Sequence, residues 1–341
     1  MMILNKLSEA RGVSGNEVEV RRIIRREAKK HADEITMDAL GNLIAVRHGT
    51  SDLPRLMVAA HMDEVGLMVS SIEKNGLLRF RKVGGIDDRV LPSATVRVGK
   101  DGVPGVIGAK PVHVQKPGER KKIITFDNMF IDIGAESKEQ AEKSVELGDY
   151  ATFDTQFSKM GDDRVKGKAF DDRAGCAQLL DLLAADHQVP LYAAFTVQEE
   201  IGLRGARVAA YRIDPDLALV LEGTTCADVP GAVEHGYSTT LGEGPALGLM
   251  DRTSIAHPGM LRELIRLAGE EDIPYQFRRS LAGGNDAGPI HLTRSGVPAA
   301  TVSTPCRYIH SPVSMMKQSD YDDGLRLLKA FLHSIEEGFR P

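Results

Sequence analysis

Three short apolar runs in this chain carry no polar alternation: LMVAAH at 56–61, AAFTV at 193–197 and LALVL at 217–221. A strand with one face in water alternates apolar and polar residues. Unbroken runs of this length therefore predict strands buried on both faces. Between and after them lie stretches with apolar residues at helical spacing: RAGCAQLLDLLAAD (173–186), GLRGARVAAYRI (202–213), GMLRELIRLAGEEDI (259–273) and the closing DYDDGLRLLKAFLHSIEEGF (320–339). Strands alternating with helices predict an α/β fold, with a mainly parallel central sheet covered by helices on both faces.

That texture is interrupted between about residues 69 and 161. The stretch RFRKVGGIDDRVLPSATVRVGKDGVPGVIGAKPVHVQ (79–115) is rich in Val and Gly, with period-2 alternation and turn dipeptides. It predicts a small, β-rich, barrel-like domain inserted into the α/β one. Before the insertion, residues 1–32 read as helix, turn, helix, broken at Gly12–Gly15, and a hairpin turns at Gly41.

Composition narrows the function. The 341 residues, 42% of them hydrophobic, suffice for one large or two unequal domains, at roughly 100–200 residues each. A formal charge of −5 gives no footprint for nucleic acid. Cys176, Cys226 and Cys306 are well separated, so they form neither a disulfide framework nor a thiolate zinc box, and they fit a reducing compartment. The N-terminus MMILNKLSEARGVSGNE has no apolar run of signal-peptide length. No stretch approaches the ~20 apolar residues of a membrane span. A cytoplasmic protein without a membrane partner is expected.

The chemistry concentrates where the apolar runs stop, which is where ligands bind in open α/β sheets. In AAHMDE, His61 and Asp63 lie two apart on a strand and share a face, so Asp63 can orient the imidazole. GKAFDDRAG puts Asp171 and Asp172 just before a helix, which alone would also describe a charged N-cap. Glu199 and Glu200 end the strand in FTVQEE. Adjacent buried carboxylates are costly unless they meet cations or share a proton, so one can ligate a metal while the other serves as general base. Glu222 ends LALVLE; Asp228, in the loop beyond, reads as structural, and Cys226 as a buried small residue. His310 lies in the polar loop CRYIHSP. Two histidines with several carboxylates suit Zn, Mn or Co better than Ca, and two cations some 3.5–4 Å apart need a shared carboxylate. HExxH, GxSxG and Walker motifs are absent from the sequence.

At these residues the sequence resembles the di-metal aminopeptidase family of glutamyl aminopeptidases, deblocking aminopeptidases and tetrahedral (TET) peptidases. The matching motifs are AAHMDEVGLMV, GKAFDDRAG, VQEEIGLRGA, LEGTTCADVPG, GGNDAG and YIHSP, spread from residue 59 to 312. The resemblance implies that His61, Asp171 and Glu222 hold one metal. It implies that Asp171 bridges to a second, held also by Glu200 and His310. Glu199 would be the general base and Asp63 would orient His61. Many relatives have Asp where this chain has Glu222. The implied cofactors are two divalent ions per subunit (Zn, Co or Mn), and the implied substrates are short peptides losing their N-terminal residue. Residues 1–67 and 163–341 would form the catalytic domain. Residues 68–162 would form a dimerisation domain, with dimers assembling into a tetrahedral dodecamer. The resemblance implies that GGNDAG, with Asn285 and Asp286, forms a loop near the site, without specifying its role.

Two rivals are weighed against this. A glycoside hydrolase with paired carboxylates usually needs aromatic platforms, whereas this chain has no Trp and 5% aromatic residues. A non-catalytic metal-binding protein of the same fold would not need a base, yet Glu199 is present. Arg252, Arg278, Arg279 and Arg307 could select acidic N-terminal residues, but each is read first as a surface or interface charge.

Overall fold

The computed structural model describes residues 2–341. Two helices open the chain, α1 (Met2–Glu9) and α2 (Val18–Ala28), followed by β1 (Glu34–Met37), β2 (Leu43–Arg47) and β3 (Leu56–His61). Then come β4 (Gly66–Ile72), β5 (Leu78–Val83), β6 (Thr95–Val98), β7 (Val103–Ala109), β8 (Met129–Asp132), the short α3 (Lys138–Ala141) and β9 (Tyr150–Phe153). Next are β10 (Ser158–Met160), β11 (Arg164–Gly167), α4 (Phe170–Leu183), β12 (Leu191–Thr196), α5 (Arg204–Ile213) and β13 (Leu217–Thr225). The chain ends with β14 (Ala246–Gly248), α6 (Pro258–Glu270), β15 (Gln276–Arg278), α7 (Ala287–His291), β16 (Ala299–Arg307), β17 (Ser314–Lys317) and α8 (Gln318–Glu336).

The main sheet runs β1-β2-β12-β3-β13-β16-β17-β11-β10. Its centre, β12-β3-β13-β16, is parallel throughout. Both margins are antiparallel, because β1-β2 is a hairpin and β17, β11 and β10 pair antiparallel beyond β16. The sheet is thus mixed, and the apolar runs of the sequence are its parallel centre. Hairpin margins can face water on one side and leave no such run.

Alternate residues explain why the central runs are unbroken. Val58, Ala60, Leu219 and Leu221 enter a core shared with α1, α2, α4, α6 and α8, while Met57, Ala59, Ala218 and Val220 enter a second core under α5 and α7. The covering helices follow from their spacing: Val20, Ile24 and Ala28 form the buried face of α2, and Met260, Leu264, Leu267 and Ala268 that of α6. A buried helix needs apolar residues all round; α4 is one, with Ala174, Ala177, Leu180 and Leu183 all buried.

The insertion is a closed barrel, β4-β5-β8-β7-β6-β9, antiparallel at every pairing. Its own core contains Leu67, Leu78, Phe80, Val96, Ile107, Ile131 and Phe153. The barrel strands end at Phe153, and β10 and β11 return the chain to the edge of the main sheet. No helix of the described residues is long and apolar enough to cross a membrane.

Candidate metal centre

The parallel strands β3 and β12 end side by side at His61 and Thr196, with the Glu199–Glu200 pair just beyond. Glu222 lies inside β13, which pairs on with β16 to Thr225 and so does not end at Glu222 as the sequence suggested. Asp171 enters from the start of α4. It and Asp172 keep non-helical backbone (ψ 104° and 45°), so the regular helix begins after them. His310 arrives from the loop after β16 with φ 57°.

These side chains converge. His61 Nε2 lies 3.2 Å from Asp171 Oδ1, 3.6 Å from Glu222 Oε2 and 4.0 Å from Glu199 Oε2. His310 Nε2 lies 3.3 Å from the other oxygen, Asp171 Oδ2, and 3.2 Å from Glu200 Oε2. Each oxygen of Asp171 therefore faces a different histidine. Three groups have ligand atoms close enough to hold one ion: His61 with Asp172 and Glu222, His61 with Glu199 and Glu200, and Asp171 with Glu200 and His310.

Asp63 ties the set together from below. It is fully buried, and its Oδ1 lies 3.4 Å from His61 Nδ1. The same carboxylate accepts the backbone N–H of Glu199 at 3.0 Å and of Glu200 at 3.1 Å. Ser14, from the turn between α1 and α2, donates its hydroxyl to Asp63 Oδ2 at 2.6 Å. The Asp63 carboxylate thus faces the imidazole, whose Nδ1 also lies 3.1 Å from the Asp63 carbonyl oxygen, and fixes the turn carrying both glutamates. Asp172 is engaged as well, accepting N–H from His61 at 3.2 Å and from Gly175 at 3.0 Å.

The electrostatics are those of crowded, largely buried acids. Burial pushes the Glu199 carboxyl well above the usual range, with the Glu222 and Glu200 charges adding to it. Burial likewise pushes Glu222 up to about 8. Burial disfavours charge on His310, but Glu200 and Asp171 overcome it and push the imidazole up to about 11. His61 is also held well above the usual histidine range: burial opposes it, and its bonds to Asp171, Asp63 and Glu222 prevail. The cluster demands positive charge. Its donors are imidazole nitrogens and carboxylate oxygens without a thiolate, and Glu222 Oε1 is buried without a hydrogen-bond partner. Such donors fit small divalent ions of the Zn, Co and Mn type.

The site opens into a cleft of about 570 Å³ whose walls include Gly85 from the barrel, Thr224, Arg252, Arg278 and Asn285. Arg252 and Arg278 thus stand at the cleft, not on a remote surface. Arg278 donates to Thr224 Oγ1 and to the carbonyls of Ser280 and Ala282. Arg307 instead pairs with Asp228 at 2.7 Å, which anchors the 226–241 loop through the Leu241 N–H. Cys226 is buried, as expected.

Several contributors escaped the sequence. Nothing around Ser14 marks it as a partner of Asp63. Gly223 follows Glu222 because a Cβ there would sit 2.6 Å from the Asp171 Cα. That signal is present in LEG, but it becomes legible only once Asp171 is placed. Asp286 lies beneath the rim and accepts the Thr196 hydroxyl at 2.6 Å; Thr196 pairs with His61 between β12 and β3. Burial pushes Asp286 up to about 6.

Comparison with known proteins gives the family. Residues 41–327 match the model of the M42 glutamyl aminopeptidase family. A TET aminopeptidase from the marine sediment archaeon Thaumarchaeota archaeon SCGC AB-539-E09 superposes with a TM-score of 0.94 at 39% identity, covering 99% of this chain and 98% of that one. The Pyrococcus horikoshii TET1 peptidase, which can assemble into a tetrahedron or a large octahedral shell, superposes with a TM-score of 0.86 at 34% identity, covering 97% and 98%. The lysyl aminopeptidase of Pyrococcus furiosus is 34% identical over 98% of this chain and 97% of its own length. The chain belongs to the M42 glutamyl aminopeptidase family, and is a metallo-aminopeptidase by that membership.

Proposed function

We propose that the chain removes N-terminal residues from short peptides at a two-metal centre bridged by Asp171. The observation that carries this is the position of Asp171, one oxygen toward His61 and the other toward His310. His61, Asp171 and Glu222 would hold one ion, and Asp171, Glu200 and His310 the other. Asp172 stands near the first set, but its oxygens already accept two backbone N–H groups, which favours a scaffold role. Such ions would polarise the scissile carbonyl and lower the pKa of an attacking water toward neutrality.

The chain's own residues do the rest. Glu199 takes the proton of the attacking water and passes it to the departing amine. Asp63 holds the backbone of Glu199 and Glu200 and keeps Nε2 of His61 toward the cleft. Residues 68–162 would serve as the dimerisation domain of a larger, TET-like assembly, and 1–67 with 163–341 as the catalytic one.

Glu199→Gln tests the base. It keeps the shape and the ligands, so the ions should still bind while kcat falls at least ~100-fold. Near-normal turnover would remove Glu199 from the role. Chelation should abolish peptide cleavage, and added Co, Mn or Zn should restore it. Peptide cleavage that survives complete chelation would overturn the metal-dependent mechanism.

A further inference from the structure

Glu64, Lys168 and Arg173 form a buried ionic cluster beside the site that neither ligation nor proton transfer uses. Lys168 Nζ lies 2.8 and 2.9 Å from the two Glu64 oxygens and 2.8 Å from the Ala10 carbonyl. Arg173 Nη2 lies 3.0 Å from Glu64 Oε1, and its Nη1 donates to the carbonyls of Leu7 at 2.6 Å and Ala10 at 3.1 Å. All three side chains are at most 3% exposed. The Gly12 N–H also donates to Glu64 Oε1 at 3.1 Å. A Cβ on Gly12 would lie 2.7 Å from Arg173 Nη2, so the turn must come this close.

The placement of these charges along the chain is informative. Glu64 follows His61 by three residues and Asp63 by one, while Lys168 and Arg173 bracket Asp171. The ion pairs therefore join the two segments whose tips meet at the 3.2 Å contact of His61 with Asp171. The same cluster holds the Gly12–Ser14 turn against Glu64 through Glu64 N–H to Gly12 O at 3.0 Å and Ser14 N–H to Glu64 O at 3.3 Å. Ser14 is the residue that bonds Asp63. A buried ion pair is a poor device for stability alone, since apolar residues of like volume serve as well or better. What it supplies is direction: one carboxylate accepting from three fixed donors has one position.

We propose that Glu64, Lys168 and Arg173 act as positioning residues, a buried clamp that sets the distance between His61 and Asp171 and so tunes the affinity of the metal centre. The inference rests on the metal assignment made above.

The test compares wild type with the double variant Glu64→Gln/Lys168→Met, which removes the pair together and leaves an oxygen for Gly12 and Arg173. Lys168→Met alone is measured in parallel as the milder change, since it leaves Glu64 paired with Arg173. Folding is read from thermal unfolding of the chelated proteins, and the site from a Co²⁺ titration followed by visible absorption. The clamp predicts a variant that unfolds cooperatively but binds Co²⁺ ~10–100-fold more weakly, the usual scale for groups that orient ligands, with a changed absorption band. A cooperatively folded variant whose titration and spectrum superpose on wild type would overturn it. Wild type failing to bind two Co²⁺ would overturn the metal assignment itself, which separates the two failures.

Discussion

Gly223 shows how tightly single residues are constrained at the rim. Its backbone passes so close to Asp171 that an added methyl would meet the Asp171 Cα at 2.6 Å and its Cβ at 2.8 Å. Gly223→Ala must therefore displace the residue proposed to bridge the ions. Overpacking of this kind costs about 1–3 kcal/mol, and the larger effect should fall on the site. We expect Gly223→Ala to fold, with a lowered melting temperature, and to lose metal affinity and kcat by at least tenfold. Unchanged metal affinity would show that Asp171 tolerates the shift. Most residues of the candidate site are legible in the sequence, because His61, Glu199, Glu200 and Glu222 stand where apolar runs end and their charge has no cheap alternative; Asp171 and His310, at a helix start and in a polar loop, stand out only through the family motifs. Ser14 is not legible there: it acts through Asp63, distant in sequence, and leaves no pattern in its own neighbourhood. Asp286 falls in the GGNDAG motif, but its bond to Thr196 is not readable there.

Among the elements, the central strands were legible and the margins less so. LMVAA, AAFTV and LALVL had to be buried on both faces, and they form the parallel centre between two apolar cores. The antiparallel β17, β11 and β10 carry mixed residues such as RVKG and SMMK, so their membership of the same sheet depends on pairing that no local period encodes. The connection from α4 to β12 offers a test remote from the metal centre. His187 is buried there, with Nδ1 3.0 Å from the Val189 carbonyl and Nε2 without a partner. Burial holds its pKa below the usual histidine value, helped by the nearby Arg47 charge. Between that lowered pKa and the unfolded value of about 6.5, the unfolded chain binds more protons, so stability falls as the pH drops through this window. His187→Asn keeps a donor for Val189 and removes the titration. In chelated protein, its melting temperature should fall less steeply than that of wild type from pH 7 to pH 5. Parallel curves would show that His187 does not contribute to the acid sensitivity.

At the scale of the whole molecule, the barrel is more than an appendage. Its Gly84–Gly85 turn reaches the cleft: a Cβ on Gly84 would lie 3.4 Å from the Glu200 Cβ, and one on Gly85 3.6 Å from His310 Nδ1. The barrel and its β7–β8 connection also expose Val106, Val112, Val114 and Ile123, and the proposed dimerisation role would have a partner subunit cover such side chains. Light scattering should therefore give a mass that is a multiple of the chain mass, and Val106→Glu with Val112→Glu should reduce it. A wild-type monomer would remove the barrel from the assembly role. Whether the active site is built as proposed is decided by anomalous X-ray diffraction from a crystal grown with zinc, collected at the zinc edge. The account predicts two peaks about 3.5–4 Å apart, one on the His61 and Glu222 side of the Asp171 carboxylate and one on the Glu200 and His310 side. A single peak, or peaks that leave Asp171 uncoordinated, would contradict it.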